Sequence, residues 1–220
     1  MTGFHPTADR LPDVFPVFPL TGALLLPQGK LPLNIFEPRY VAMVDEALRA
    51  DRMFGMIQPK PGVLRGETGP ALFSVGCLGR LTSFSETEDG RYLITLTGVV
   101  RFTVERELEM RHGFRRVRGD YTLFQRDLDL SPQPTGINRE TLTAELRAYF
   151  GRSGMEANWD AIARLADETL LTTLCMVCPF EPAEKQAMLE APTDADRAAA
   201  LLALLRMGGR STGTAVPPAA

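Results

Sequence analysis

Lysine is scarce. It occurs only at Lys30, Lys60 and Lys185, followed by Leu31, Pro61 and Gln186. A P-loop ATPase needs a glycine loop ending in Lys and then Ser or Thr, because that lysine meets the phosphates and the hydroxyl holds Mg²⁺. No lysine here has that context. Histidine is scarcer still, with only His5 and His112. A serine hydrolase of the triad type needs a histidine base, and no Gly-x-Ser-x-Gly elbow stands ready to use either one. A Ser–Lys dyad would have to draw on one of the three lysines. Each lies in or beside a proline-bearing turn or helix start and is expected to be a solvated surface residue. The three cysteines, Cys77, Cys175 and Cys178, are too few and too odd in number for a disulfide framework, and they fit a reducing compartment. Met1 to Pro12 has no apolar stretch of the secretory kind, and no apolar run approaches the roughly 18 residues of a membrane span. A cytoplasmic location with no membrane contact is expected.

The 220 residues are 45% hydrophobic with a net charge of −3, enough to bury a core and too acidic for a protein whose main task is neutralising phosphate. Pro132-Gln-Pro134 divides the chain. The reading is an α+β fold, with a β-rich unit over 12–131, a helical bundle over 135–208, and flexible termini at 1–11 and 209–220. Before the division, Leu72 to Phe84, Tyr92 to Thr97, Phe102 to Glu107 and Arg115 to Phe124 read as strands, with Glu88-Asp-Gly90 and His112-Gly113 as hairpin turns. Val14 to Leu26, punctuated by Pro16, Pro19 and Pro27, suits edge strands and loops better than a central strand. One helix opens at Glu37-Pro38, with Val41, Val44 and Leu48 as its inward stripe. After the division, Asn138 caps a helix carrying Leu142, Leu146 and Tyr149 or Phe150. A longer helix is predicted from Trp159 to Val177, then one from Pro182 to about Glu190. A last helix opens on a capping box of Thr193 and Asp196 and runs to Met207.

Cys175 and Cys178 form a C-x-x-C. Zinc needs about four ligands, and no second pair stands at a finger-like spacing. A redox pair would sit at a helix N-terminus, where the dipole lowers the thiol pKa, whereas this one lies near a helix C-terminus. The expectation is a metal-free pair of buried cysteines one turn apart. Arg111 to Arg118 is the one basic cluster. It reads either as a solvated hairpin face balanced by Glu105, Glu107 and Glu109 or as an RNA contact with Phe114 interleaved.

Phe15-Pro-Val-Phe-Pro-Leu20, followed by Pro32-Leu-Asn-Ile-Phe-Glu-Pro-Arg-Tyr40, resembles the N-terminal, substrate-binding domain of Lon proteases. That domain is also found free-standing in bacteria and is related to part of cereblon. The resemblance continues through Arg52 to Ile57, Val75 to Leu81, Asp89 to Gly98, Arg101 to Val104 and Pro179 to Glu190, covering roughly residues 12 to 207. Glu181 departs from it, standing where a better capping residue is usual before the proline. The resemblance implies a PUA-like, partly open β-barrel followed by a helical bundle, and recognition of unfolded or exposed protein segments, with a separate protease as a further partner. It implies no catalytic residues and no cofactor.

Two readings of function stand: a non-catalytic peptide-binding module serving protein quality control, and an RNA-binding module of PUA-like fold. For peptide contacts the candidates are Phe36, Glu37, Arg39 and Tyr40, the most recognisable motif, with Pro59 and Pro61 in the proline-bearing loop that runs to Pro70. The motif has an architectural reading as well: Glu37 starts a helix, Arg39 pairs with a carboxylate, and Phe36 and Tyr40 pack. Purified protein incubated with casein and ATP is expected to leave the casein intact. ATP-dependent cleavage that survives removal of contaminating proteases would overturn this.

Overall fold

The first half of the chain alternates buried and half-exposed residues in short runs, and those runs pair into one sheet. The computed structural model describes residues 6–62, 66 and 68–208. Six strands form it: β1 (Val14–Pro19), β2 (Lys30–Ile35), β3 (Met53–Ile57), β4 (Val75–Glu86), β5 (Tyr92–Arg111) and β6 (Phe114–Asp120). Their order is β2-β5-β4-β3-β1-β6, and β6 pairs again with β5. The sheet is therefore partly ring-closed, short of a complete barrel, with β2 outside the ring. The two separate strands expected over Tyr92 to Thr97 and Phe102 to Glu107 are one continuous β5 of 20 residues. Its first part pairs with β2 and its last part with β6.

The proline-bearing β1 is not an edge strand. Val14 to Val17 pair with β6 and Val17 to Pro19 pair with β3. The two pairings overlap only at Val17, so neither Pro16 nor Pro19 has a neighbouring strand on both sides, and their missing donors break no doubly paired ladder. Inside the ring Phe15 and Phe102 meet edge to face at 4.8 Å, surrounded by Val17, Met53, Leu78, Val100 and Val117. A Cβ on Gly55 would come within 2.8 Å of the Phe102 ring, and one on Gly119 within 2.7 Å of Phe15. These glycines are what lets the two rings fill the ring's interior.

Helix α1 (Pro38–Arg49) buries Tyr40, Met43, Val44 and Ala47, so its inward stripe is centred one position from the predicted one, with Val41 and Leu48 on its flank. Five helices follow: α2 (Arg139–Ser153), α3 (Trp159–Arg164), α4 (Asp167–Val177), α5 (Pro182–Glu190) and α6 (Asp194–Met207). Asn138 caps α2, accepting from the Thr141 N–H at 2.9 Å. Thr193 and Asp196 cap each other at the start of α6. At α5 the Glu184 carboxylate accepts from the Glu181 N–H at 2.8 Å, so that end is closed from inside the helix.

The helix expected from Trp159 to Val177 is broken. Leu165 and Ala166 are extended, and Arg139 reaches across to donate to the carbonyls of Ile162, Ala163 and Leu165 and to pair with Asp167. An arginine from α2 thus serves the orphan carbonyls at the end of α3. At the N-terminus, Ala8–Arg10 makes one 3₁₀ turn and Leu11 packs on the ring core. Residues 1–5 and 209–220 lie outside the described residues.

One core cluster runs from Phe18, Leu25 and Met56 of the strand half to Leu146, Leu174 and Leu201 of the helical half. Leu170 and Leu174 are both buried in it, whereas Val177 on the same helix is 66% exposed. Leu174→Asp would bury an unpaired charge and is expected to lower stability by about 3 kcal/mol or more in urea unfolding. Val177→Asp is expected to change it by less than about 0.5 kcal/mol. Equal effects from the two would contradict this placement of α4.

Candidate functional site

Where the strand half meets the helices, the polar groups are not left to water. Arg101 on β5 is 4% exposed. Its Nε and Nη2 donate to the Asp127 carboxylate, both at 2.8 Å, and its Nη1 donates to the carbonyls of Leu189 at 3.0 Å and Ala191 at 2.6 Å. The guanidinium also lies 4.5 Å from the Phe124 ring centroid. Gln58, just after β3, accepts from the Gly22 N–H and donates to the Pro182 carbonyl and to Gln186. Gln186 donates in turn to the Val75 carbonyl and Glu190. The Lys185 ammonium donates to the carbonyls of Gly22 at 2.8 Å and Met176 at 3.3 Å. Lys185 is thus not the surface lysine expected. It is 7% exposed, its pKa lowered by burial, and it holds a loop against the end of α4. Lys30 and Lys60 are exposed.

Beside this seam lies a cleft of about 780 Å³, within the range of peptide and small-molecule sites. The segment Pro27 to Lys30 forms one wall and the irregular linker Asp129 to Pro134 another. The α4 face and the first turn of α6 complete it. The wall at Gly29 fits closely against α4, and any Cβ there would run into Met176 and Thr172. Arg101 with Asp127, and Arg197 with Asp194, form its charged floor. Its rim is apolar in part: Val177 is 66% and Leu130 41% exposed.

None of the six nominated residues lines this cleft. Glu37 and Arg39 pair with each other at 2.7 Å in the open. Tyr40 is buried against Phe18, ring centroids 4.2 Å apart, and burial raises its phenol pKa. Phe36 does not pack inward; it is 56% exposed, with Arg91 5.9 Å from its ring centroid. Pro59 is half-buried beside its bridge to Leu72, and Pro61 is exposed. Of the loop, residues 63–65 and 67 lie outside the described residues. The basic cluster is partly engaged by carboxylates. Arg115 pairs with Glu107 at 2.5 Å and donates to the Pro70 carbonyl, Arg111 pairs with Glu46, and Arg118 lies 3.8 Å from Asp13. Of the three balancing glutamates expected, Glu107 takes that part.

The family model of the ATP-dependent protease La (LON) substrate-binding domain matches residues 14–207. The chain belongs to that family. A Lon protease 2 of Thermus thermophilus is 25% identical over 203 residues, covering 89% of this chain and 24% of the relative. A Lon protease of Desulfosudis oleivorans is 29% identical over 96 residues, 43% of this chain and 12% of the relative. The chain thus spans under a quarter of the length of these curated relatives. Among solved structures, the N-terminal domain of Mycobacterium avium complex Lon protease superposes with a TM-score of 0.60 at 16% identity, covering 88% of this chain and 98% of that one. A Lon N-terminal domain protein from Xanthomonas campestris gives 0.56 at 22%, covering 86% and 97%. The fold is that of a Lon N-terminal domain.

The cysteines are buried core residues. Among the described residues no cluster of three or more His, Cys, Asp or Glu could hold a metal ion. Burial pushes the thiols of Cys175 and Cys178 up to about 12. At pH 8 a thiol near that value carries roughly one thiolate in ten thousand, against about one in four for an ordinary thiol. Iodoacetamide at pH 8 is therefore expected to leave Cys175 and Cys178 unmodified in the native protein and to label both after urea denaturation, read by intact mass. Rapid native labelling would show that the pair is not held as described.

Proposed function

We propose that this chain captures exposed, extended segments of other proteins in the cleft between its strand and helical halves. One observation carries the reading: a preformed cleft with Val177 and Leu130 presented on its rim. Apolar side chains left out in water at the mouth of a concave surface gain by covering a partner's apolar groups. The family supports the same reading, since its members' domain is described by substrate binding. On this proposal the chain works without chemistry of its own or a cofactor, in the cytoplasm, and hands what it holds to a separate protease as an adaptor in protein quality control. No described helix is long and apolar enough to cross a membrane. The strand unit 12–131 and the helical unit 135–208 act together, because the cleft takes walls from both.

A single site of this kind gives micromolar affinity or weaker, on the order of −8 kcal/mol. Fluorescence anisotropy in moderate salt, with labelled unfolded-protein fragments, is expected to show fragments rich in Leu and Phe binding better than charged ones. Val177→Lys is expected to weaken that binding by at least roughly fivefold while the melting temperature stays put. If apolar fragments bind no better than charged ones, or labelled RNA outcompetes both, the peptide reading falls and RNA recognition replaces it.

A further inference from the structure

The outer face of the strand pair β5–β6 carries a second feature, which the cleft does not use. Register fixes which side chains share it. Arg106 stands opposite Arg118, and Leu108 opposite Arg116. On the other side of β6, Val14 and Pro16 of β1 stand opposite the same two arginines. The intervening residues Phe15, Arg115 and Val117 are buried toward the ring interior, so this set faces out, half-buried to exposed. The result is three arginines interleaved with Leu108, Val14 and Pro16 on one continuous surface.

This arrangement is unfavourable in the free protein. Two arginines directly opposite each other repel. Arg106 and Arg116 form no ion pair among the described residues, and the Asp13 carboxylate near Arg118 is 3.8 Å away and 81% exposed. The Nε of Arg118 is buried with no hydrogen-bond partner among the described residues. Two cations without a carboxylate and a third with only the distant, exposed Asp13 are what an anionic partner would complete.

We infer that this face binds an extended, acidic segment of another polypeptide, one with carboxylates at alternate positions and an apolar residue between or beside them. The spacing suits it. Side chains two apart on a strand, such as Arg116 and Arg118, are about 6.6 Å apart, and alternate carboxylates of an extended peptide repeat at the same interval. Leu108 and Val14 offer the apolar contacts. A polynucleotide fits less well: the set contains no aromatic residue on which a base could stack, and the chain as a whole carries a net charge of −3. Val14 to Pro16 and Arg106 to Leu108 each pair with β6 on one side only; the proposed contact is made through side chains, with the segment lying across the face.

The probe is a fluorescein-labelled 12-residue peptide of alternating Glu and Ala, followed by anisotropy in low salt, beside a Gln-for-Glu version and a single-stranded RNA 12-mer. The acidic peptide is expected to bind at least roughly tenfold more tightly than the Gln version and to weaken steeply with added salt. Arg106→Glu and Arg116→Gln are each expected to weaken it by roughly fivefold or more. Arg106→Glu should at the same time raise the melting temperature, because it replaces a like-charge cross-strand pair with an opposite-charge one. Val177→Lys should leave acidic-peptide binding unchanged, which separates this face from the cleft. Equal binding of the Glu and Gln peptides, tighter binding of the RNA, or an Arg106→Glu variant that keeps full affinity would each overturn the assignment.

Discussion

The structure depends on one buried cation. Arg101 sits in the middle of the longest strand and donates through every nitrogen of its guanidinium, to Asp127 on one side and to the end of α5 on the other. With side-chain exposures of 5% and 8%, neither charge has water to fall back on. Removing either partner of such a pair costs about 3–5 kcal/mol, since the survivor is left buried and uncompensated. The pair therefore tolerates only one arrangement of three separate pieces: β5, the 3₁₀ segment Thr122–Leu128 that carries Asp127, and the turn after α5. An apolar seam in the same place would hold the halves together with less regard for angle. The arginine fixes the angle, and with it the width of the cleft whose floor it forms.

Much of the helical half was legible because its signals are local. A cap at Asn138, a reciprocal cap at Thr193 and Asp196, and a proline at the first turn of α5 each depend on residues within a few positions of one another. The break between α3 and α4 was not legible. Nothing at Leu165 or Ala166 forbids a helix; the interruption depends on Arg139, more than twenty residues earlier, reaching carbonyls that a continuous helix would have used. Lys185 misleads in the same way, since its solvation is replaced by two carbonyls from distant segments. In the strand half, β3 is five residues long, contains Gly55 and is buried at every position, so it shows no alternation; β2 alternates Leu31, Leu33 and Ile35 with Lys30, Pro32 and Asn34, but is short and interrupted by Pro32. The two-sided pairing of β1 follows from ring closure, which no single segment encodes.

The candidate residues divide along the same line. The run from Phe36 to Tyr40 stands out in the sequence because an architectural turn needs particular residue types in a row. A helix start, a local ion pair and a buried tyrosine account for three of its four nominated members. The cleft draws its walls from four stretches of chain, and no one of them is unusual by itself. The proline-bearing linker was visible as a boundary between halves, but its part in lining a cavity emerges only once the halves are joined.

The staggered pairing of β1 bears on the order of events during synthesis. Val14 to Pro19 leave the ribosome early, yet half of that strand has no partner until Phe114 to Asp120 have followed about a hundred residues later. At the usual pace of translation that interval lasts on the order of 5–20 s. Throughout it, Phe15 and Val17, destined for the ring interior, belong to a strand that cannot close. The nascent chain is therefore itself an unfolded segment of the kind such a domain is proposed to hold, and its safety rests on how quickly the ring shuts once β6 is out.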